Sequence, residues 1–151
     1  MSIRIGFWKE YTTIDSDQSL GSENAIKYGE EKKQIIKYIK SGEMIMASLG
    51  VQSCVICDQR VIGTFSILTD GTWVWPEYYA HFIEVHNLAI PSGFRKTMEA
   101  SKYEVPALSK RTKNKILKRL RDEQIRQQPR ISSRWGLSKL MQLLKRTGKK
   151  A

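Results

Sequence analysis

Two short stretches, Cys54-Val-Ile-Cys57 and His81-Phe-Ile-Glu-Val-His86, are the most informative part of the sequence because they contain the only cysteines and histidines of the 151-residue chain. They form the pattern C-x2-C, 23 residues, H-x4-H. A tight turn lets two thiols at this spacing face one ion, and two thiolates with two imidazoles suit zinc in a closed tetrahedral site. The pattern predicts a zinc site formed by Cys54, Cys57, His81 and His86.

Each part of this pattern also has a more ordinary interpretation. A C-x2-C pair can be a redox dithiol, but a thioredoxin-like pair is followed by a helix, and here a strand is predicted. Cysteines occur as core residues, and a histidine on an amphipathic helix is more often packed or exposed than ligating. Residues five apart on an ideal helix differ by about 140° in direction, so His86 is expected where the last turn loosens.

Strand patterns lie on both sides of the cysteines. Val, Ile, Phe, Met and Thr are frequent in residues 43–51 and 61–68, which predicts two strands. Trp73-Val-Trp75 is extended, and Pro76 is suited to open a helix over residues 77–87 because its missing N–H costs nothing there. These elements predict an α+β fold in which a small ββα-like domain is stabilised by zinc.

Further elements are predicted before and after this centre. Residues 3–8 are expected to form a short strand, residues 9–24 a loop, and residues 29–41 a helix capped by Gly42. Pro91 allows another short helix.

Charge divides the chain into two parts. The full chain has a formal net charge of +11, yet residues 1–100 hold 10 basic and 12 acidic side chains, a net of −2. Residues 101–151 hold 16 basic and 3 acidic side chains, a net of +13. Such a concentration attracts polyanions. We predict a zinc-binding α+β domain over residues 1–100 and a basic helical extension over residues 101–151.

Two helices are predicted in the basic extension. Ser109 is suited to cap a helix that runs through Gln128, Pro129 ends it, and Leu137, Leu140, Met141 and Leu144 recur at helical spacing in a second one. The spacing fits both a hairpin that docks on the first domain and a helix-turn-helix. The side chains expected to contact nucleic-acid phosphates are Lys113, Lys115, Lys118, Arg119, Arg121, Arg126, Arg130 and Arg134.

Several classes of protein are disfavoured. Uninterrupted apolar runs such as Met44–Ala47 are too short to span a bilayer, so we expect a cytoplasmic protein without a membrane segment. No P-loop, nucleophile elbow or HExxH motif occurs. Asp70, Glu77 and Glu84 are the carboxylates near the site, but a zinc ion with four protein ligands has no open position for water. The sequence therefore predicts no catalytic residue and no small-molecule substrate.

A longer set of residues resembles a group of small, uncharacterised bacterial proteins. These residues are Ile5-Gly-Phe-Trp-Lys9, the C-x2-C pair, Thr69-Asp-Gly-Thr-Trp-Val-Trp-Pro-Glu77 and Ala80-His-Phe82 with His86. The group has a CxxC followed by a DGxWxWPEGLAHYxxxH block, and the resemblance covers about residues 3–94. It matches the expected ligands one by one and implies the same zinc site. Tyr78 and Tyr79 replace the Gly-Leu of the block, the basic extension is outside it, and it implies no activity.

Three hypotheses for function follow from these patterns. The first is a non-enzymatic zinc protein whose basic helices bind nucleic acid, or an assembly containing it, through phosphates and without base specificity. The second is an adaptor or inhibitor that docks through its helices on an acidic protein surface. The third is an enzyme that uses the C-x2-C pair for thiol chemistry. Binding that weakens steeply with salt would distinguish the first from the second.

Overall fold

The computed structural model describes residues 2–12 and 18–127. Within these residues the chain is a mixed α+β protein with two sheets and four α-helices. The helices are α1 (Lys32–Lys40), α2 (Tyr79–Glu84), α3 (Ser92–Ala100) and α4 (Lys110–Gln127). The strands are β1 (Ile3–Arg4), β2 (Glu43–Met46), β3 (Val51–Gln52), β4 (Gly63–Thr64), β5 (Ile67–Thr69) and β6 (Trp73–Pro76). None of the helices described has both the length and the apolar composition that a bilayer crossing requires.

The larger sheet has four strands in the order β1-β6-β5-β2. Strand β1 is parallel to β6, and the other neighbouring pairs are antiparallel. All four residues of β6 are buried, because side chains alternate across a strand and helices cover both faces of this sheet. The smaller sheet is the antiparallel pair of β3 and β4.

Helices α1, α2 and α3 pack on the face of the sheet that carries Trp73 and Trp75. The indole N–H of Trp75 donates to the backbone oxygen of Ile39 at 3.0 Å, which links the sheet to the end of α1. Phe94 from α3 packs between the two indoles, with ring centroids 5.2 and 5.1 Å away. This aromatic packing forms the main hydrophobic core.

Helix α4 covers the opposite face of the sheet. Its Ile116 and Leu120 are buried against Ile67 and Val74, whose side chains alternate with those of the main core. The predicted N-cap is confirmed, because the hydroxyl of Ser109 accepts the backbone N–H of Thr112 at 3.1 Å. Residues 110–120 therefore share a core with the sheet, although they follow the boundary predicted near residue 100. The second predicted basic helix lies outside the described residues.

Several predicted elements are shorter than expected. The strand predicted over residues 3–8 is limited to Ile3–Arg4, and Gly6 adopts a positive φ of 73° soon afterwards. The strand over residues 43–51 ends at Met46, where the register with β5 shifts, and the strand over residues 61–68 is divided into β4 and β5. Strand propensity identified these segments but did not show where pairing stops, which depends on the neighbouring strand.

Two expectations about helix ends are wrong. Pro76 is the last residue of β6, opposite Ile67, and α2 begins at Tyr79 rather than at residue 77. Ser41, rather than Gly42, follows the last residue of α1, and its side chain donates to the oxygen of Lys37. Gly42 provides space instead, since a Cβ there would lie 2.6 Å from the ring of Trp75.

The packing of α4 leads to a first prediction. Leu120→Ala removes a buried side chain between α4 and the sheet, so we expect the free energy of unfolding to fall by about 2–5 kcal/mol in urea denaturation. Ile125→Ala is the matched control on the same helix, because Ile125 is 69% exposed and its truncation should cost less than about 0.5 kcal/mol. Equal effects of the two substitutions would contradict the shared core.

Candidate metal centre

The two cysteines lie in the turn of a short hairpin formed by residues 51–64, hereafter the knuckle hairpin. Its strands β3 and β4 pair antiparallel, and the backbone N–H of Cys54 donates to the oxygen of Gln59 at 3.0 Å. The Sγ atom of Cys54 accepts the backbone N–H groups of Ile56 at 3.3 Å and Cys57 at 3.4 Å. These contacts fix the position of the Cys54 sulfur inside the turn, on the same side as Cys57.

The two histidines come from helix α2 and the turn after it. His81 lies within α2 and is buried, whereas His86 follows two residues after the helix ends at Glu84. Asn87 then adopts a left-handed conformation with φ of 52°, one of the conformations that asparagine tolerates better than most residues. This early end of α2 turns His86 toward the same side as His81, as the sequence predicted for the loosened last turn.

The four side chains meet at one place in the structure. The Sγ of Cys54 lies 3.3 Å from Nε2 of His86, and the Sγ of Cys57 lies 3.5 Å from Nε2 of His81. One ligand atom from each of the four residues lies within 4.8 Å of the others. Burial lowers the pKa of His81, and the nearby His86 lowers it further, so the imidazole stays in the neutral form that binds metal. This group of residues could hold a metal ion.

Tyr11 supports the cysteine turn, a role that the sequence analysis did not predict. Its hydroxyl donates to the backbone oxygen of Ser53 at 2.8 Å and accepts the backbone N–H of Val55 at 3.0 Å. Its ring stacks on Tyr78 with centroids 4.7 Å apart, which connects the knuckle hairpin to the main core. Only its nearness to the Ile5–Lys9 segment in the sequence could have drawn attention to it.

The other end of the knuckle hairpin is fixed against the start of α2. Gly63 has φ of 140°, and a Cβ at this position would lie 3.1 Å from backbone atoms of Tyr78. The backbone N–H of the next residue, Thr64, donates to the carboxylate of Glu77 at 2.8 Å. The knuckle hairpin and the start of α2 are therefore in direct contact, and these two elements carry the cysteines and His81.

The carboxylate of Asp70 has a structural role. Its Oδ1 accepts the backbone N–H groups of Thr72 and Trp73, and its Oδ2 accepts the hydroxyl of Tyr38 at 2.8 Å. The hydrogen bonds of this buried side chain are thus used to close the turn between β5 and β6.

The predicted phosphate-binding residues have different surroundings on α4. Lys113 is partly buried and forms an ion pair with Glu43 at 2.8 Å, so part of its charge is neutralised within the protein. Lys110 and Arg111, which the prediction omitted, are exposed on the same helix. Arg130 and Arg134 lie outside the described residues. The predicted residues that are exposed on α4 are Lys115, Lys118, Arg119, Arg121 and Arg126.

Comparisons with known proteins give no assignment for this site. No protein-family model matches the chain, and neither the curated proteins nor the solved structures that were searched contain a match.

The position of Tyr11 leads to a second prediction. Tyr11→Phe removes both hydrogen bonds to the cysteine turn but keeps the ring, so metal affinity should fall by about 10–100-fold, as for other residues that orient ligands. Competition with a metal chelator measures this affinity. Tyr38→Phe is the matched control, because its hydroxyl is also hydrogen-bonded but donates to Asp70, away from the cysteine turn. An equal loss of metal affinity in both variants would show that the effect is general destabilisation.

Proposed function

We propose that Cys54, Cys57, His81 and His86 bind one zinc ion. Zn–S bonds of about 2.3 Å and Zn–N bonds of about 2.05 Å in a tetrahedron place S and N about 3.6 Å apart. The two S–N distances of 3.3 and 3.5 Å agree with this value. The knuckle hairpin and α2 then constitute a ββα-like unit, stabilised by zinc and enlarged by the strands β5 and β6 between its parts.

The zinc ion in this proposal has a structural role. Four protein ligands complete its coordination, which leaves no position for a water molecule or a substrate. The knuckle hairpin contributes Cys54 as its only buried side chain among the described residues, so it has little core of its own. A metal ion would attach this hairpin to α2. In this proposal the protein is therefore not an enzyme that uses the metal or the thiols. Thiols that bind a metal are reduced, and reduced thiols are consistent with the cytoplasm.

We propose further that the outer face of α4 binds the phosphates of nucleic acid. The observation that carries this proposal is the division of the helix into two faces: Ile116 and Leu120 pack on the sheet, while most of the basic side chains face outward. Helix α4 has eight basic and two acidic residues, a net charge of +6 over 18 residues. Lys115, Lys118 and Arg119 are at i, i+3 and i+4, so they lie on one side of the helix.

Binding of this kind is independent of base sequence. Contacts from flexible basic side chains to phosphates provide affinity without reading base edges. The apolar face of α4 is already occupied by the sheet, and the charged face is suited to follow a backbone rather than to enter a groove with specific polar pairs. DNA, RNA and assemblies that contain them all supply such phosphates.

A second candidate function, docking on another protein as an adaptor or inhibitor, is favoured by one observation. Five large aliphatic side chains near the cysteine turn are more than half exposed, namely Leu49, Val51, Val55, Ile56 and Val61. Exposed apolar side chains that together form a patch are typical of protein interfaces. Such binding would depend on apolar contact and would change little with salt, in contrast to binding to phosphates.

The proposed zinc site gives a third prediction. Cys57→Ser removes one thiolate, so the purified variant should contain less than about one tenth of the zinc of the natural chain and should unfold at a lower temperature. Metal analysis by mass spectrometry and thermal unfolding measure the two effects. Asp58→Asn, at the exposed neighbouring residue, should retain zinc at one ion per chain. A natural chain purified without metal and unable to bind added zinc would refute the proposal.

The proposed phosphate surface gives a fourth prediction. Replacing Lys115, Lys118 and Arg119 together by Gln should weaken binding to a short DNA or RNA duplex. It should also make the slope of log K against log salt less steep by about 2–3, because each phosphate contact releases roughly 0.7–0.9 counterions. Fluorescence anisotropy at several salt concentrations measures both changes. Scrambling the duplex sequence should change the affinity less than twofold.

A matched control variant loses the same net charge from a different part of the surface. Replacing the exposed lysines Lys33, Lys37 and Lys96 by Gln removes three charges from α1 and α3 rather than from α4. If both triple variants lose equal affinity, net charge rather than the face of α4 determines binding. If the natural chain does not bind the duplex at low salt but binds an acidic protein with an affinity that changes little with salt, the adaptor function replaces the proposed one.

A further inference from the structure

A pocket of about 520 Å³ lies between α2, the knuckle hairpin and the start of β2. Met44, Val61, Leu68 and Ala80 form apolar parts of its wall. Met44 and Val61 are 48% and 57% exposed, which extends the apolar surface toward the solvent. The volume is in the range of small-molecule sites, and the wall is formed by residues of α1, α2, β2, β5 and the knuckle hairpin and by residues that connect these elements.

Three charged side chains line this pocket, and within the described part of the chain Glu77 is the one without a charged partner. Lys40 and Glu84 form an ion pair with 2.8 Å between Nζ and Oε2. The Oε2 atom of Glu77 accepts two hydrogen bonds from Thr64, one from the backbone N–H at 2.8 Å and one from the side-chain hydroxyl at 2.5 Å. Its Oε1 accepts no hydrogen bond from the residues that the structure describes. The wall therefore has a net charge of −1 and a carboxylate oxygen with free acceptor capacity.

A metal ion beside the pocket does not change this charge balance. His81 contributes to both the metal centre and the pocket wall. Two thiolates cancel the charge of a divalent ion, and the two imidazoles bind it in their neutral form. The negative charge of Glu77 consequently remains, in a protein whose overall charge is +11.

We propose that this pocket binds a small primary aliphatic amine. The ammonium group donates to Oε1 of Glu77, and the hydrocarbon chain lies against Met44, Val61 and Leu68. An ammonium is a compact cation with three donors, so one of them can reach a single free oxygen without the two-point geometry that a guanidinium prefers. A carboxylic acid of the same length would bring a negative charge to Glu77, and a neutral alcohol would leave the carboxylate without a counter-charge.

The experiment titrates the full chain, loaded with zinc, with n-pentylammonium, n-pentanol and n-pentanoate at one ionic strength. Amide chemical shifts in ¹H–¹⁵N NMR spectra locate and quantify the binding. We expect n-pentylammonium to shift the amides of Gly63 and Ala80 and to bind at least tenfold more tightly than n-pentanol, with n-pentanoate weaker still. Affinities of n-pentanol and n-pentylammonium within twofold of each other, or shifts confined to other parts of the chain, would overturn the proposal.

Two matched variants test the role of the carboxylate. Glu77→Gln should reduce the affinity for n-pentylammonium at least tenfold and leave that for n-pentanol unchanged. Glu84→Gln should reduce it less than threefold, because Glu84 already forms an ion pair with Lys40. Equal losses in the two variants would contradict the assignment to Glu77. If Glu77→Gln does not fold, which thermal unfolding and zinc content would show, the comparison of the three compounds on the natural chain decides the question.

Discussion

The aromatic packing around Tyr78 and Phe82 fixes the position of α2, and the candidate metal centre depends on that position. Tyr78 is fully buried, its hydroxyl donates to the backbone oxygen of Gly6 at 2.9 Å, and its ring stacks on Tyr11. Phe82 packs edge-on against Trp8, with ring centroids 4.8 Å apart. The same packing therefore orients the histidines on α2 and, through Tyr11, the cysteine turn. A small zinc finger lacks such a core and depends on its metal to fold. Here the ligands are arranged by the core, and a bound ion would mainly attach the knuckle hairpin.

Helix α4 combines two requirements that conflict in an isolated helix. Its eight basic residues repel one another, and a mostly polar helix of this length gains little stability without packing. The sheet supplies that packing through Ile116 and Leu120, and ion pairs of Lys113 with Glu43 and of Glu123 with Arg4 connect the helix to the two edge strands. The remaining basic side chains of α4 are exposed to solvent. A polyanion bound to this face would relieve the repulsion and further stabilise α4.

The candidate site could be predicted from the sequence further than the fold could. The four potential ligands are recognised by their residue types and by their spacing along the chain. Both properties can be read directly from the sequence, so the convergence of the four side chains was predicted correctly. Strand limits depend on partners far away in the chain: β5 pairs with β2 and β6, and the register shift at Met46 has no local signal. Pro76 fits both a strand end and a helix start, and the tertiary context favoured the strand. The role of Tyr11 was missed for the same reason, because its partners Ser53 and Val55 are more than 40 residues away.

The candidate metal ligands and the basic face lie on opposite sides of the four-stranded sheet. The candidate ligands belong to α2, the turn after it and the knuckle hairpin, which pack with the main core, whereas α4 packs on Ile67 and Val74. Groups without shared contacts contribute nearly independently to stability and binding. Loss of a metal ion bound at the candidate centre would therefore open the knuckle hairpin without removing the basic face of α4, and neutralising α4 would leave the four candidate ligands in place. Strands β5 and β6, whose alternate residues contact both cores, are the elements through which either change could affect the other.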